Sequence, residues 1–456
     1  MQKKIFIGTT NVGNNTVTLA QGFRELGFEV GTADIDKHNK FYDLNLDFHL
    51  AGFQNSFKRI LDAEKYLKNL SRSYQKLLDY DIYIFMASNS LLPGMLDIPV
   101  LKKMGKTVIS LPLGSDIRHH ESAKTFNAQY GHDYPQQLIS DQRNTENKII
   151  SLALKGSYAP TYSKKLYNTR IAENYADVML SAPCSNMLGV RPYIAGLLPF
   201  DSSIYTPKVC RRDKPVIFHA PTSRAFKGTD IILETLEQLE REGIPFDFFL
   251  AENIPNKEVL KALTECDIVI DQIACGKSGL FGLEAMASGC ALLGCNDEYA
   301  QPFPFEAHPT IRITKENLYN ELKTLLTNKS LRIQKAEQGI EYINKQLHTP
   351  KNVARYTLKA ITRAAQGNYD YYPTFYFEHT TPPHGEVVPD HLLSLTSSLL
   401  QQYGTSEELL KGDLLRKQLG KFLSEGNIKK IPTWDTTSKV RCSWGWWDKK
   451  STDKND

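Results

Sequence analysis

The chain has no run of roughly 20 apolar residues, so no segment of it is suited to span a bilayer. It begins MQKKIFIGTT, which enters a strand-like segment and lacks the long apolar stretch and small-residue cleavage site of a secretory signal. Its seven cysteines, at 184, 210, 266, 275, 290, 295 and 442, form no C-x-x-C pair and no ladder with histidine at zinc spacing. Their odd number and scatter predict reduced, mostly buried thiols, and with the missing signal they predict a cytoplasmic protein. Net charge is scarce as well. A balance of +4 over 456 residues is too weak a field to make nucleic acid an expected partner. No short-period repeat is visible, which argues against a solenoid.

What is present is a globular composition, 41% apolar and 23% charged, in a chain long enough for two or three domains and a cleft between them. Short Ile- and Val-rich runs at 3–8, 28–36, 81–86, 106–113 and 177–183 alternate with helical spacing such as 16–26. That alternation predicts a parallel sheet covered on both faces. The pattern restarts with strands at 215–220, 246–251, 267–272 and 290–295, and helices at 229–242, 256–265 and 280–288. A polar, Pro-containing linker at 198–215 separates the halves, and helices at 330–346 and 351–365 follow. The expected class is α/β, with two doubly wound, Rossmann-like domains over 1–200 and 211–350. A helix at 351–366 is expected to cross back to the first, and 367–456 form an aromatic-rich extension. That extension has helical stretches at 390–402 and 406–424, all four tryptophans and a disorder-prone end.

Two segments could carry chemistry. In HAPTSRAFKGTD (219–230) a strand runs into a loop holding Arg224 and Lys227, and Gly228 with Thr229 opens a helix, Thr229 standing where a cap would. Free N–H groups and the dipole at a helix start favour an anion, and adjacent cations add charge-assisted contacts. A solvated basic turn has the same look. In CDIVIDQIACGKSGLFGLEAMASG (266–289) a strand ends at Asp271-Gln272. A loop with Gly276, Lys277, Ser278 and Gly279 then leads to a helix bearing Glu284. Glycines admit close backbone approach, and a carboxylate in that helix could accept from two adjacent hydroxyls, as on a ribose. A buried helix with one exposed acid is the plainer alternative.

Together the two segments resemble the C-terminal, nucleotide-sugar-binding domain of GT-B glycosyltransferases, most like the retaining glycosyltransferase family 4. The likeness lies in Arg224 and Lys227-Gly228 after one strand and in the Glu284-Ala285-Met286-Ala287-Ser288-Gly289 helix after another. Where that family usually carries a second glutamate, eight positions earlier, this chain has Gly276; Asp271-Gln272 matches a subgroup that lacks it. In the first half, LPLGSDIRHH (111–120) resembles the subgroup segment ending Gly-Ser-Asp-x-Arg, with Leu113 where a histidine is common.

The resemblance implies a GT-B fold, an acceptor domain followed by a donor domain, and transfer from a nucleoside-diphosphate sugar with no metal or other cofactor. It puts the donor diphosphate on Arg224 and Lys227, its ribose on Glu284, and backbone contacts at Gly228, Ser278 and Gly279. Asp116 is expected to contact acceptor or sugar, and His119 or His120 could stand in for the missing histidine, though a surface or structural pair is the commoner use. In the first loop, TTNVGNN (9–15), Gly13 with Asn14 or Asn15 could approach donor phosphate or acceptor, or form a capped turn. The expected acceptor is a glycan or lipid-linked glycan. The basic amphipathic stretch 56–78 leaves open a peripheral membrane contact beside the plainer packed helix. A sugar-nucleotide 2-epimerase of the same fold and a non-catalytic sugar-nucleotide binder remain as alternatives, and the oligomeric state is open.

Overall fold

The structure is a computed structural model that describes residues 3–35, 46–50, 62–74, 76–128, 131–141, 164–274, 276–296, 308–373 and 390–404. In chain order the first half contains β1 (Lys4–Gly8), α1 (Asn15–Glu25), β2 (Glu29–Asp34), β3 (Phe48–His49), α2 (Ala63–Ser73), β4 (Ile82–Met86), α3 (Asp97–Lys103), β5 (Thr107–Leu111), α4 (His120–Ala128), α5 (Lys164–Tyr175), β6 (Val178–Ser181) and β7 (Ile194–Ala195). The second half continues with β8 (Val216–His219), the one-turn α6 (Arg224–Lys227), α7 (Thr229–Arg241), β9 (Asp247–Leu250), α8 (Asn256–Leu263), β10 (Ile268–Ile270), α9 (Leu280–Ser288), β11 (Ala291–Gly294), β12 (Ile311–Arg312), α10 (Leu318–Thr327), α11 (Lys329–Asn344), α12 (Pro350–Ala365) and α13 (Asp390–Tyr403).

All pairings within the two sheets are parallel. The first sheet has seven strands in the order β3-β2-β1-β4-β5-β6-β7, and the second has five in the order β12-β11-β10-β8-β9. The period-2 alternation of strands divides the first core cleanly. Phe6, Tyr83, Phe85, Val108 and Met179 face one side, where Leu67 and Leu70 of α2, Ile98 and Leu101 of α3, and Leu399 and Leu400 of α13 cover them. Ile5, Ile7, Ile82, Ile84 and Ile109 face the other, under Leu19 and Phe23 of α1 and Val353, Tyr356 and Ala360 of α12. The last long helix thus packs on the first domain, and Tyr356 ties it down by donating to the Ala195 carbonyl at 2.7 Å. Pro350 lies so close to α1 that a Cβ at Gly22 would fall 1.9 Å from its carbonyl oxygen.

The second core repeats the scheme. Ile217, Ile268, Ile270 and Leu293 pack on α7 and α10, while Phe218, Val269 and Leu292 pack on α8, α9 and Tyr342 of α11. Three strands that hydrophobic spacing does not reveal, β3, β7 and β12, are two residues each, too short for any periodicity. The helix α10 is likewise absent from the sequence reading. Of the basic stretch 56–78, the described part forms α2, capped where Asp62 accepts from the Lys65 N–H at 3.0 Å, with Leu67 and Leu70 buried. The tryptophans and the 406–424 stretch lie outside the described residues, as does most of the aromatic extension. No described helix is long and apolar enough to cross a membrane.

Each sheet has one switch point, where successive strands begin to be added on the opposite side. In the first it falls between β1 and β4, and in the second between β8 and β10. Loops leaving neighbouring strands diverge there, which is where open α/β sheets hold ligands.

Candidate active site

A cavity of about 190 Å³ lies where the two sets of loops meet. The first domain contributes Leu111, Pro112, Leu113, Arg118, Ala182, Cys184, Ser185 and Gly196 to Leu198. The second contributes Phe226 from the loop after β8, and Gln272, Lys277, Ser278 and Gly279 from the loop after β10. Contacts between the domains frame it. The Arg118 guanidinium lies 4.8 Å from the centre of the Phe226 ring, and His132 Nδ1 is 3.1 Å from the Ile273 carbonyl. The loop after β1 also touches the start of α9: Gly13, at φ +59°, would carry a Cβ 2.7 Å from Leu280 Cδ1. The two switch points therefore face each other.

Lys227 is buried at the end of α6, and its ammonium forms an ion pair with Asp271, which is wholly buried. It also sits 5.9 Å from the Phe281 ring centre. The other Asp271 carboxylate oxygen accepts from the Gly279 N–H at 3.3 Å. One carboxylate thus draws the lysine head and the start of α9 to the same spot. Gly279 stands at the N-cap of α9 with no side-chain cap, and a Cβ there would meet nothing within 4 Å. The first-turn N–H groups of α9 are left without the usual capping side chain, as an anion site requires. Gly228 links α6 to α7 at φ +72°, where a Cβ would press on Ile273 at 3.2 Å.

Glu284, one turn into α9, is half-buried and accepts from the Tyr205 hydroxyl at 3.2 Å. Burial is the main cause that pushes its carboxyl up to about 7, opposed by hydrogen bonds from Tyr205 and Asn256 and by the charge of Lys227. Ser278 is buried, its hydroxyl 3.4 Å from the Cys295 carbonyl, and lines the cavity. Lys227, Gly279, Ser278 and Glu284 therefore gather around α9.

Other predicted residues are used differently. Arg224 is half-exposed and its guanidinium is gripped by both Glu252 oxygens, at 2.8 and 3.0 Å, and by Asp230 at 3.2 Å. Like Lys227 and Glu284, neither it nor Asp116 is among the residues that line the cavity. Asp116 accepts from the N–H groups of Leu113 and Gly114, at 3.0 and 2.8 Å, and from the Ser88 hydroxyl at 2.7 Å, so its carboxylate is bound up with its own loop. Arg118, two residues on, is the member of that motif that reaches the cavity, with a bond to Ser185 at 3.1 Å. His119 caps α4 through Ser122, 3.1 Å away. His120 meets the Tyr134 hydroxyl at 2.6 Å, and burial pushes it down to about 3. Neither histidine is among the residues that line the cavity. Asn14 takes a left-handed conformation and its side chain makes no capping bond to α1; Asn11 accepts from the Thr16 N–H at 2.9 Å instead. Asn15 turns back to the Val12 carbonyl at 2.6 Å.

Sequence reading missed His219. Wholly buried, it bridges the Ile270 carbonyl at 2.8 Å and the Thr229 hydroxyl at 2.9 Å, joining β10 to the start of α7. That contact takes the hydroxyl expected to cap α7. Desolvation pushes the ring down to about 4. A histidine closing an apolar strand, as in PVIFHA, is the signal that could have found it. The five described cysteines are buried thiols, and none of them is in a disulfide among the described residues.

Two facing Rossmann-like domains with the cleft at their switch points make this a GT-B fold. A sucrose-phosphate synthase from Thermosynechococcus elongatus shares it, at a TM-score of 0.50 and 12% identity, over 80% of this chain and 100% of that one. HepE of Anabaena, in complex with UDP-glucose, aligns at a TM-score of 0.48 and 10% identity over 79% of this chain and 100% of its own. A Listeria monocytogenes protein assigned as a UDP-N-acetylglucosamine 2-epimerase aligns at 0.44 and 12% identity, over 82% and 100%. No family model matches the chain, and no curated protein matches it in sequence.

Proposed function

We propose that this protein is a glycosyltransferase that moves a sugar from a nucleoside-diphosphate sugar to an acceptor hydroxyl, with retention, on a glycan or lipid-linked glycan. The observation that carries the reading is that Lys227, paired with Asp271, and Glu284 gather around α9, whose uncapped start at Ser278 and Gly279 lines the cavity. It joins the basic-loop and Glu-Ala-Met-Ala-x-Gly motifs that resemble glycosyltransferase family 4.

In this reading the diphosphate lies at the N-terminus of α9, and Lys227 turns from Asp271 toward it. The ribose hydroxyls donate to Glu284. The anomeric carbon enters the cavity, where an acceptor arrives past Arg118 and the apolar wall of Leu111, Leu113 and Leu197. The bond from the anomeric carbon to the diphosphate oxygen breaks. The acceptor oxygen forms its bond on the same face and its proton passes to the leaving phosphate. Fixed N–H groups and the lysine stabilise the charge that builds on the diphosphate, the kind of electrostatic contribution that usually dominates. Holding both reactants in a closed cleft supplies the alignment.

Among the described residues, no aspartate, glutamate or histidine lines the cavity. That favours one-step transfer over a covalent glycosyl-carboxylate route. It also favours transfer over 2-epimerisation, which needs acids or bases at the sugar ring. The test is a thermal-shift panel of UDP, GDP and their sugars, followed by incubation of the stabilising sugar nucleotide without acceptor. A rise in Tm with a nucleoside diphosphate and no epimer is expected, because a ligand that binds only the folded state stabilises it. Accumulation of the 2-epimer would overturn the reading.

A further inference from the structure

The residue that reads the sugar of the donor is open, because Gly276 brings no side chain to the place where the resemblance leads one to look for a carboxylate. Resting on the donor-site reading above, we propose that Gln272 does this work: its amide oxygen accepts a hydroxyl of the hexose carried by the diphosphate.

Five observations meet at this side chain. It stands two residues beyond the end of β10, at the switch point of the second sheet and directly after the Asp271 that pairs with Lys227. Its backbone is fixed, since its carbonyl accepts from the Cys295 N–H at 2.9 Å at the end of the neighbouring strand. The residue is only 4% exposed, yet it lines the cavity. Its amide nitrogen donates to the Lys277 carbonyl, which sets the plane and the direction of the group. The amide oxygen accepts no hydrogen bond among the described residues, and it is not one of the buried atoms sealed off without a partner. It is left to the cavity.

An amide oxygen held in one orientation on the cavity wall beside an anion site is placed to accept from a donor that enters the cavity, and a ligand that excludes water there must supply that donor. Apolar side chains make up most of the opposite wall, so a bound molecule is well placed to supply the donor. A hexose hydroxyl supplies an O–H donor, and a neutral amide accepts it without adding negative charge next to a diphosphate. The second N–H of the amide remains able to donate to a neighbouring hydroxyl. Sites built to bond a hydroxyl discriminate strongly against analogues that lack it.

The experiment measures affinity of the full-length protein for UDP and for UDP-glucose, with GDP and GDP-mannose in parallel, in wild type, Gln272→Leu and Gln272→Asn. The leucine is close in volume and removes the acceptor; the asparagine keeps the amide but withdraws it by one methylene. Each variant is expected to lose about tenfold in affinity for the sugar nucleotide while its affinity for the bare diphosphate stays within twofold of wild type. An unchanged ratio of the two affinities in both variants overturns the assignment of Gln272 and leaves the nucleotide site standing. Equal loss for both ligands overturns it as well, since that marks a residue that merely shapes the loop. A wild-type protein that binds none of the four overturns the donor-site reading and this inference with it.

Discussion

The two switch points share a topology and spend their polar groups in opposite ways. In the first domain much of the loop polarity is matched by neighbouring loops. Thr9 donates to the Ser90 carbonyl at 3.1 Å, Asn89 to the Thr10 hydroxyl at 2.9 Å, and Asp116 is engaged by Leu113, Gly114 and Ser88. In the second domain the corresponding loops hold a buried ion pair, a glycine open to the cavity and an amide whose oxygen meets no described partner. The match in the first domain is incomplete, since Asn14 Oδ1 and Asn15 Oδ1 in the loop after β1 are buried with no partner among the described residues. A loop matched in most of its polar groups is nonetheless chiefly a frame. Burying charge and amide next to a cavity is worthwhile only if something else completes the set. The difference supports the proposal that the second domain grips the polar donor and that the first shapes what meets it.

The comparison breaks most forcefully at Lys227. Lys227→Met leaves the Asp271 carboxylate buried without its counter-ion, and such losses run to about 3–5 kcal/mol. The variant should therefore show a large fall in urea midpoint and no rise in Tm with nucleoside diphosphate. Adding Asp271→Leu removes the orphan charge and should restore most of the stability. Nucleotide response should stay absent in the double variant, because the cation is gone. A double variant that regained both would show that the pair is only a fold element. That outcome would put the two switch points back on an equal footing.

Much of this frame was legible beforehand. Strands such as IYIFM and ALLG are continuous apolar runs, a pattern that only a doubly covered parallel sheet explains. Lys227 and Glu284 were legible because each sits at a fixed offset from a strand end and a helix start, and both came to lie around α9. What could not be read was pairing at a distance. Nothing local to Arg224 says that Glu252, 28 residues on, will take its guanidinium. Nor does the Gly-Ser-Asp-Ile-Arg run reveal which of its charges bends back. Asp116 has its own loop N–H groups within reach of a short side chain, whereas Arg118 is long enough to cross to Phe226. Reach decided between them, and reach depends on backbone path.

The first-domain side of the comparison sharpens with Asp116→Ala. Three donors, two of them backbone, lose an acceptor, which should lower stability by about 1–3 kcal/mol. Affinity for UDP or GDP should stay within twofold of wild type, measured by calorimetric titration. A tenfold loss of nucleotide affinity at unchanged stability would instead make Asp116 a ligand contact, and the contrast between self-satisfied and ligand-directed loops would fail there.

The smallest effect is a change with pH at Glu284, and its two signs make it a sensitive check. The folded carboxyl sits near 7 against an ordinary 4.5, chiefly through burial. Between those values the folded state holds a proton that the unfolded chain has released, so this group's contribution to stability falls as pH rises through the window. Ribose hydroxyls that donate to Glu284 prefer the ionised form. Nucleotide affinity should then rise with pH by as much as about tenfold per unit below 7 and level off above it. Ligand-free stability and ligand affinity therefore move in opposite directions over the same interval. Glu284→Gln should flatten both curves, since the amide keeps the bond to Tyr205 and does not titrate. Affinity that ignores pH in wild type, with the stability slope intact, would leave Glu284 a buried acid of the helix and take the ribose away from it.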